Sequence, residues 1–184
     1  MTVTRTFDLP DRCVVGTVGG PGERAFYLQV RDGAVLYSMI FEKEQARLLA
    51  LRMGELLEEA TARGDISQRL LASPADNAPL DMPLTEEFRI MRMSVAWLRQ
   101  DHHIVIEAAS GSDDDEAEVD ADDDTATSAD VVVSIRLTPS DSKEFVRRTL
   151  AVVAAGRRSC PLCEQPIHPS GHICPRANGY HRLR

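Results

Sequence analysis

The sequence lacks an apolar run long enough to cross a membrane, and it contains little cysteine. No stretch approaches the roughly 18 consecutive apolar residues of a spanning helix. Met1–Arg5 also lacks the charged-then-apolar layout of a secretory signal. These absences predict a cytoplasmic protein that makes no use of a membrane. Because the cytoplasm is reducing, three of the four cysteines, Cys160, Cys163 and Cys174, are expected to bind metal or do redox chemistry rather than form a disulfide framework. Cys13 lies in an apolar strand pattern and is expected to be a small core residue.

Basic residues are missing from one segment, and this segment explains the acidity of the chain. Nine acidic residues and no lysine or arginine lie between Asp113 and Asp124. Removing these nine charges from the net charge of −8 leaves +1, so the rest of the protein is close to neutral. Such a run is usually a solvated, disordered loop, although a cation site and a mimic of nucleic acid are alternatives. The sequence therefore does not predict an acidic surface overall.

An apolar content of 43% over 184 residues is enough for one core of ordinary size. The pattern of apolar residues and turns predicts three strands and a helix, and then the same order again. We expect strands at 13–18, 24–31 and 34–41, a helix over 42–63, strands at 88–98, 102–108 and 130–137, and a helix from 138 to about 155. The prediction is an α+β fold of two βββα halves, each an antiparallel meander with a covering helix, around a shared core.

These patterns divide the chain into four parts. The first half covers residues 1–64, and a proline-containing connecting segment covers 65–86. The second half covers 87–156, with the acidic loop at 110–129 in place of a short turn. The last part, 157–184, is a short tail rich in cysteine, histidine, proline and glycine. The repeated order of elements predicts an internal duplication, although the residue similarity between the halves is weak.

The tail contains the spacing of a zinc site. Cys160 and Cys163 form a C-x2-C pair, and His172 and Cys174 follow as an H-x-C pair. Structural zinc takes four ligands in a tetrahedron, usually cysteine thiolates and histidine nitrogens, and the tail is too short to form an apolar core of its own. The sequence therefore predicts a Cys3His zinc ribbon. With four protein ligands the site has no open position for water, which disfavours hydrolytic catalysis.

Two alternatives to this ligand set remain open. The first is a pair of redox-active thiols. The pattern disfavours this alternative, because a redox C-x-x-C pair normally precedes a helix and no helical pattern follows Cys163. His168 and His181 compete with His172 as the fourth ligand, because spacing does not determine which imidazole faces the ion.

Several segments carry a resemblance to a known family. They are CPLC at 160–163, GHICPRANGY at 171–180, PDR at 10–12, GTVG at 16–19, PG at 21–22, FYLQ at 26–29, EEFR at 86–89 and AW at 96–97. Together they resemble an actinobacterial family of uncharacterised proteins that is defined only as a domain of unknown function. The resemblance spans nearly the whole chain and implies an actinobacterial cytoplasmic protein with a characteristic tail, but it implies no reaction. The family typically has glycine after the second cysteine, where Glu164 stands here.

A closed metal site and the lack of a nucleophile–base constellation favour a function without catalysis. The leading hypothesis is an adaptor or regulatory protein whose tail presents Arg176, Asn178 and Tyr180 to a protein partner. A nucleic-acid-associated protein is the second hypothesis, because residues 157–184 contain five arginines and one acid, a formal charge of +4. The same basic tail has a second possible partner in the chain's own acidic run. The third hypothesis is an enzyme that binds a nucleotide or phosphorylated metabolite between the sheets.

Overall fold

The computed structural model describes residues 3–20, 22–111, 130–156, 160–163 and 173–176, together with Ile167 and Gly171. The acidic loop expected at 110–129 lies outside the described residues, apart from its first two positions. None of the helices in the described ranges is long and apolar enough to cross a membrane.

The α+β fold class is confirmed. The strands are β1 (Val3–Asp8), β2 (Arg12–Val18), β3 (Ala25–Asp32), β4 (Val35–Phe41), β5 (Glu86–Arg89), β6 (Arg92–Leu98), β7 (His103–Ala109) and β8 (Val131–Leu137). The helices are α1 (Lys43–Ala62) and α2 (Pro139–Ala154), and a 3-10 turn covers Gln68–Leu71. The order of elements is ββββα written twice, so each half has one strand more than the sequence pattern predicted.

The additional strand of each half joins the sheet of the other half. One sheet has the order β1-β8-β7-β6 and the other has the order β2-β3-β4-β5. The meander pairs are antiparallel, whereas β1 pairs in parallel with β8 and β5 pairs in parallel with β4. Since each half supplies one strand to its neighbour's sheet, the halves are connected by main-chain hydrogen bonds as well as by packing.

Two of the strand predictions need correction. The single strand expected at 88–98 is two strands in different sheets, and the chain crosses between them at Ile90 and Met91. The Ile90 N–H donates to the Ile40 carbonyl at 2.8 Å, and the Met91 N–H donates to the Ala109 carbonyl at 2.9 Å. Apolar residues continue through the crossing, so the pattern does not mark it. Strand β1 was missed because only Phe7 of its six residues is buried.

One apolar core connects both sheets and both helices. The predicted stripe of α1 is buried: Leu49, Met53, Leu56, Leu57 and Ala60. Helix α2 buries Phe145 and Val153, and its predicted start is confirmed because the Thr138 hydroxyl accepts a hydrogen bond from the Asp141 N–H at 3.2 Å. The helices pack on each other, and each also packs on the second strand of the opposite half, α2 on β2 and α1 on β6.

Two arginines attach the connecting segment to the second helix and the first meander. Arg12 donates from Nε to Asp76 Oδ2 at 2.6 Å and from Nη1 to Asp81 Oδ2 at 2.9 Å. Arg148 donates from Nε to the Val15 carbonyl at 2.9 Å and from Nη1 to the Asp76 carbonyl at 2.7 Å. The sequence pattern gave no sign of this cluster, because its members belong to three distant parts of the chain.

The Arg148 side chain is only 8% exposed, so its charge depends on these contacts. Burial lowers the pKa of Arg148, while the neighbouring Asp76 carboxylate raises it. Its Nη2 donates to the Ala78 carbonyl at 2.7 Å, and Nη1 also approaches Asp76 Oδ1 at 3.1 Å. All three guanidinium nitrogens therefore have acceptors, which is the condition for burying a charge without a large penalty.

Candidate metal centre

Three cysteines converge in the tail. The Sγ atoms of Cys160, Cys163 and Cys174 all lie within 4.8 Å of one another, and Cys160 Sγ is 3.7 Å from Cys174 Sγ. A tetrahedral zinc ion with Zn–S bonds of about 2.3 Å requires sulfur atoms about 3.8 Å apart. The three thiols could therefore hold a metal ion, and their spacing is compatible with zinc.

The first ligand pair is shaped by a turn. Residues 161–163 form the turn that brings Cys163 back beside Cys160, and Pro161 fixes the backbone angle at its start. The N–H groups of Cys163 and Leu162 hydrogen-bond the sulfur of Cys160 and lower its pKa to about 6. At neutral pH Cys160 is then mainly thiolate, which is the form that binds metal.

The second ligand segment includes Gly171 and Cys174. Gly171 has a φ of +88°, a conformation that side-chain-bearing residues rarely adopt. Cys174 follows and is 8% exposed. Arg176 then returns to the first turn, because its Nη1 donates to the Leu162 carbonyl at 3.0 Å. This hydrogen bond joins the two ligand segments independently of any ion.

The predicted metal ligands are thus placed in part. The structure brings Cys160, Cys163 and Cys174 together as expected. His172, His168 and His181 all lie outside the described residues. The identity of the fourth ligand therefore remains a prediction.

The predicted partner-binding residues are also placed in part. Arg176 lies beside the thiol cluster and contacts the tail itself through Leu162. Asn178 and Tyr180 lie outside the described residues. Their contact with a partner remains a prediction.

Two apolar side chains at this centre were missed by the sequence reasoning. Leu162 is 50% exposed and Ile173 is 87% exposed. Each is enclosed by a predicted ligand pair, Leu162 by the two cysteines of C-x2-C and Ile173 by the histidine and cysteine of H-x-C. Ligand pairs that face an ion direct the residue between them outward, so this position in the motif is the signal that could have identified them.

Residues 5–174 match the protein family described as "Protein of unknown function (DUF3090)", and the chain belongs to that family. The match extends from β1 to the third thiol of the cluster, Cys174. No curated protein and no solved structure matches the chain. The expected resemblance to an uncharacterised family is confirmed at this level, and any function must be argued from the geometry.

Proposed function

We propose that this DUF3090 protein is a non-enzymatic adaptor or regulatory protein of the actinobacterial cytoplasm, and that a structural zinc ion holds its C-terminal ribbon for a protein partner. The proposed ligands are Cys160, Cys163, His172 and Cys174. The observation that carries the proposal is the 3.7 Å separation of Cys160 Sγ and Cys174 Sγ, which matches the edge of a zinc–thiolate tetrahedron. A fourth ligand from the protein closes the site to water and substrate, so the metal would act on folding rather than on a reaction.

The exposed apolar side chains beside the thiols support a protein as the partner. Burying an isoleucine or leucine side chain fully is worth about 1.5–3 kcal/mol, and Ile173 and Leu162 are half or more exposed. Apolar side chains on a rigid support, with a charged residue such as Arg176 nearby, are typical centres of protein interfaces. A partner surface with an apolar depression and an acidic rim would complement this face.

A nucleic-acid partner is the second proposal, and the +4 formal charge of residues 157–184 is its support. Binding to phosphates would weaken steeply as salt increases. Filter binding across a salt series distinguishes the proposals, since absence of binding at low salt would exclude nucleic acid. The geometry supports an enzyme less, because the charged groups Arg12 and Arg148 both donate to Asp76 and are used in holding the connecting segment.

Metal analysis tests the site. Protein purified without chelator is expected to contain about one zinc per chain, and the Cys160→Ser, Cys163→Ser double variant is expected to contain almost none. A zinc content below about half an equivalent in the parent protein would contradict the site.

Affinity capture from native cells tests the partner. The parent protein, the double cysteine variant and Ile173→Ser are compared with Leu70→Ser, a control outside the tail whose side chain is 57% exposed. We expect a partner that is retained by the parent and by Leu70→Ser but lost with the other two, while Ile173→Ser keeps its zinc. Unchanged partners with the cysteine variant would place the interaction on the sheets and helices instead.

A further inference from the structure

The repeated order of elements produces two related grooves between a helix and a strand. The α2–β2 groove lies between the second helix and the second strand, and the α1–β6 groove lies between the first helix and the sixth strand. The two helices align from their first residues, Lys43 and Pro139, because both bury their fourth, seventh, eleventh and fifteenth residues. The two strands both have seven residues and begin with arginine.

The walls of the two grooves correspond at several positions, although Arg12 lines the α2–β2 groove and Arg92, the first residue of β6, does not line the α1–β6 groove. Leu48, Leu49 and Arg52 are the sixth, seventh and tenth residues of α1, and Glu144, Phe145 and Arg148 are the sixth, seventh and tenth residues of α2. All six line their respective grooves. On the strand side, the second residue of each strand, Met93 or Cys13, also lines its groove. The tenth residue is an arginine in both helices.

The chain itself fills the α2–β2 groove. Asp76 of the connecting segment places its carboxylate between Arg12 and Arg148, at 2.6 Å and 3.1 Å. The Asp76 N–H donates to Glu144 Oε1 at 2.7 Å, and the Ala78 carbonyl accepts from Arg148. The groove thus binds an extended segment by its acidic side chain and its backbone, and a volume of about 170 Å³ remains.

The α1–β6 groove is open over the described part of the chain. Its volume is about 500 Å³, and its lining residues all belong to α1 and β6. Leu48 at its wall is 53% exposed, and Met91 just before β6 is 55% exposed. In the related groove, residues of the connecting segment, among them Asp76, form part of the lining.

We propose that the α1–β6 groove binds an extended segment of a partner protein that carries an aspartate or glutamate next to apolar residues. The chemistry follows from how the chain fills the related groove and from how the two grooves differ. Arg52 takes the place of Arg148 and receives the carboxylate. Leu48 takes the place of Glu144, so the occupant presents an apolar side chain where Asp76 presents a backbone N–H.

Arg52 can exchange its present contacts for such a carboxylate. Its Nη1 lies 2.9 Å from Glu55 Oε2 and 3.4 Å from Glu59 Oε1, in pairs that are about half exposed. Exposed ion pairs are weak because water screens the charges, so replacing them costs little. This surface does not depend on the zinc-held tail, and its test does not depend on the proposed function.

The test is a selection of random twelve-residue peptides, displayed on phage, against the full chain, followed by fluorescence anisotropy of the enriched peptides. We expect the peptides to share one acidic residue with apolar neighbours. The affinity should fall about tenfold with Leu48→Glu and about threefold with Arg52→Ala, and Arg52→Lys should restore part of the loss. The matched control is Leu51→Glu on the same helix, whose side chain is 40% exposed and does not line the groove; it should change binding less than about twofold.

Four results would overturn the proposal. The first is a selection that enriches no peptide, or only peptides without an acid. The second is an equal loss of binding with Leu48→Glu and Leu51→Glu in variants that melt at the parent temperature. The third is a dimer in sedimentation that Leu48→Glu dissociates, which would assign the groove to a second copy. The fourth is peptide binding that appears only after residues 177–184 are removed, which would show that these residues occupy the groove.

Discussion

Replacing Arg148 by methionine should be one of the most destabilising single substitutions in this protein. The change keeps most of the side-chain volume but removes every donor of a guanidinium that is only 8% exposed. The Val15 carbonyl lies in a fully buried residue and would lose its hydrogen bond from this donor, at a cost of about 1–3 kcal/mol. The Asp76 and Ala78 carbonyls are less enclosed and would cost about 1 kcal/mol each. The total is about 3–5 kcal/mol, which is the range for breaking a buried pair from one side.

Urea unfolding at neutral pH measures this loss directly. With a slope of about 2–3 kcal/mol per molar urea, the midpoint should fall by about 1–2.5 M. Arg47→Met is the matched control, because Arg47 lies on the other helix, α1, is 41% exposed and pairs with Glu44 three residues away. The control should move the midpoint by much less, because exposed ion pairs contribute little to stability. Equal losses for the two variants, or a loss below about 1 kcal/mol for Arg148→Met, would refute the view that the connecting segment is fixed by this buried charge.

Three further predictions address the segment and the metal centre. Hydrogen bonds from Arg12 lower the pKa of Asp76 below its ordinary value of 3.8. The stability that the Asp76 carboxylate contributes is therefore present above pH 3.8 and is lost as the pH falls through the lowered pKa. Asp76→Asn should flatten the fall in unfolding free energy between about pH 5 and pH 2, and an unchanged acid profile would contradict this. A Cβ at Gly16 would lie 2.5 Å from Leu80 Cγ, so Gly16→Ala should lower the free energy of unfolding by about 1–3 kcal/mol. In a double-mutant cycle, adding Leu80→Ala should recover part of this loss, and strictly additive losses would exclude the contact. His172→Ala should lose zinc in metal analysis while His168→Ala retains it, and the reverse result would reassign the fourth ligand.

Features that depend on neighbouring residues were predictable from the sequence. The stripe of α1 follows from helical spacing, and Thr138 begins α2 because its hydroxyl accepts from the Asp141 N–H three residues away. Cys160 and Cys163 meet because a turn of two residues separates them. Each of these features is decided within one or two turns of backbone, so the residues that cause it stand together in the sequence.

Features that depend on distant residues were not predictable. The pattern of Phe88–Leu98 continues unbroken, yet the chain changes sheets at Ile90 because Ile40 and Ala109 offer hydrogen-bond acceptors on opposite sides. Strand β1 has one buried residue and is held by its parallel pairing with β8, in which Val3 lies opposite Val131. No local property of these segments records where their partners lie.

The same distinction separates the two candidate sites. The sequence by itself predicted the three thiols that could hold a metal ion, because cysteine spacing is a local property of the chain. Only the tertiary structure decided that Arg12 and Arg148 meet at Asp76, and that the corresponding Arg52 lies in an open groove. Those positions are set by the pairing of strands and the packing of helices from both halves of the chain, and the energies that hold them are contacts between residues far apart in sequence.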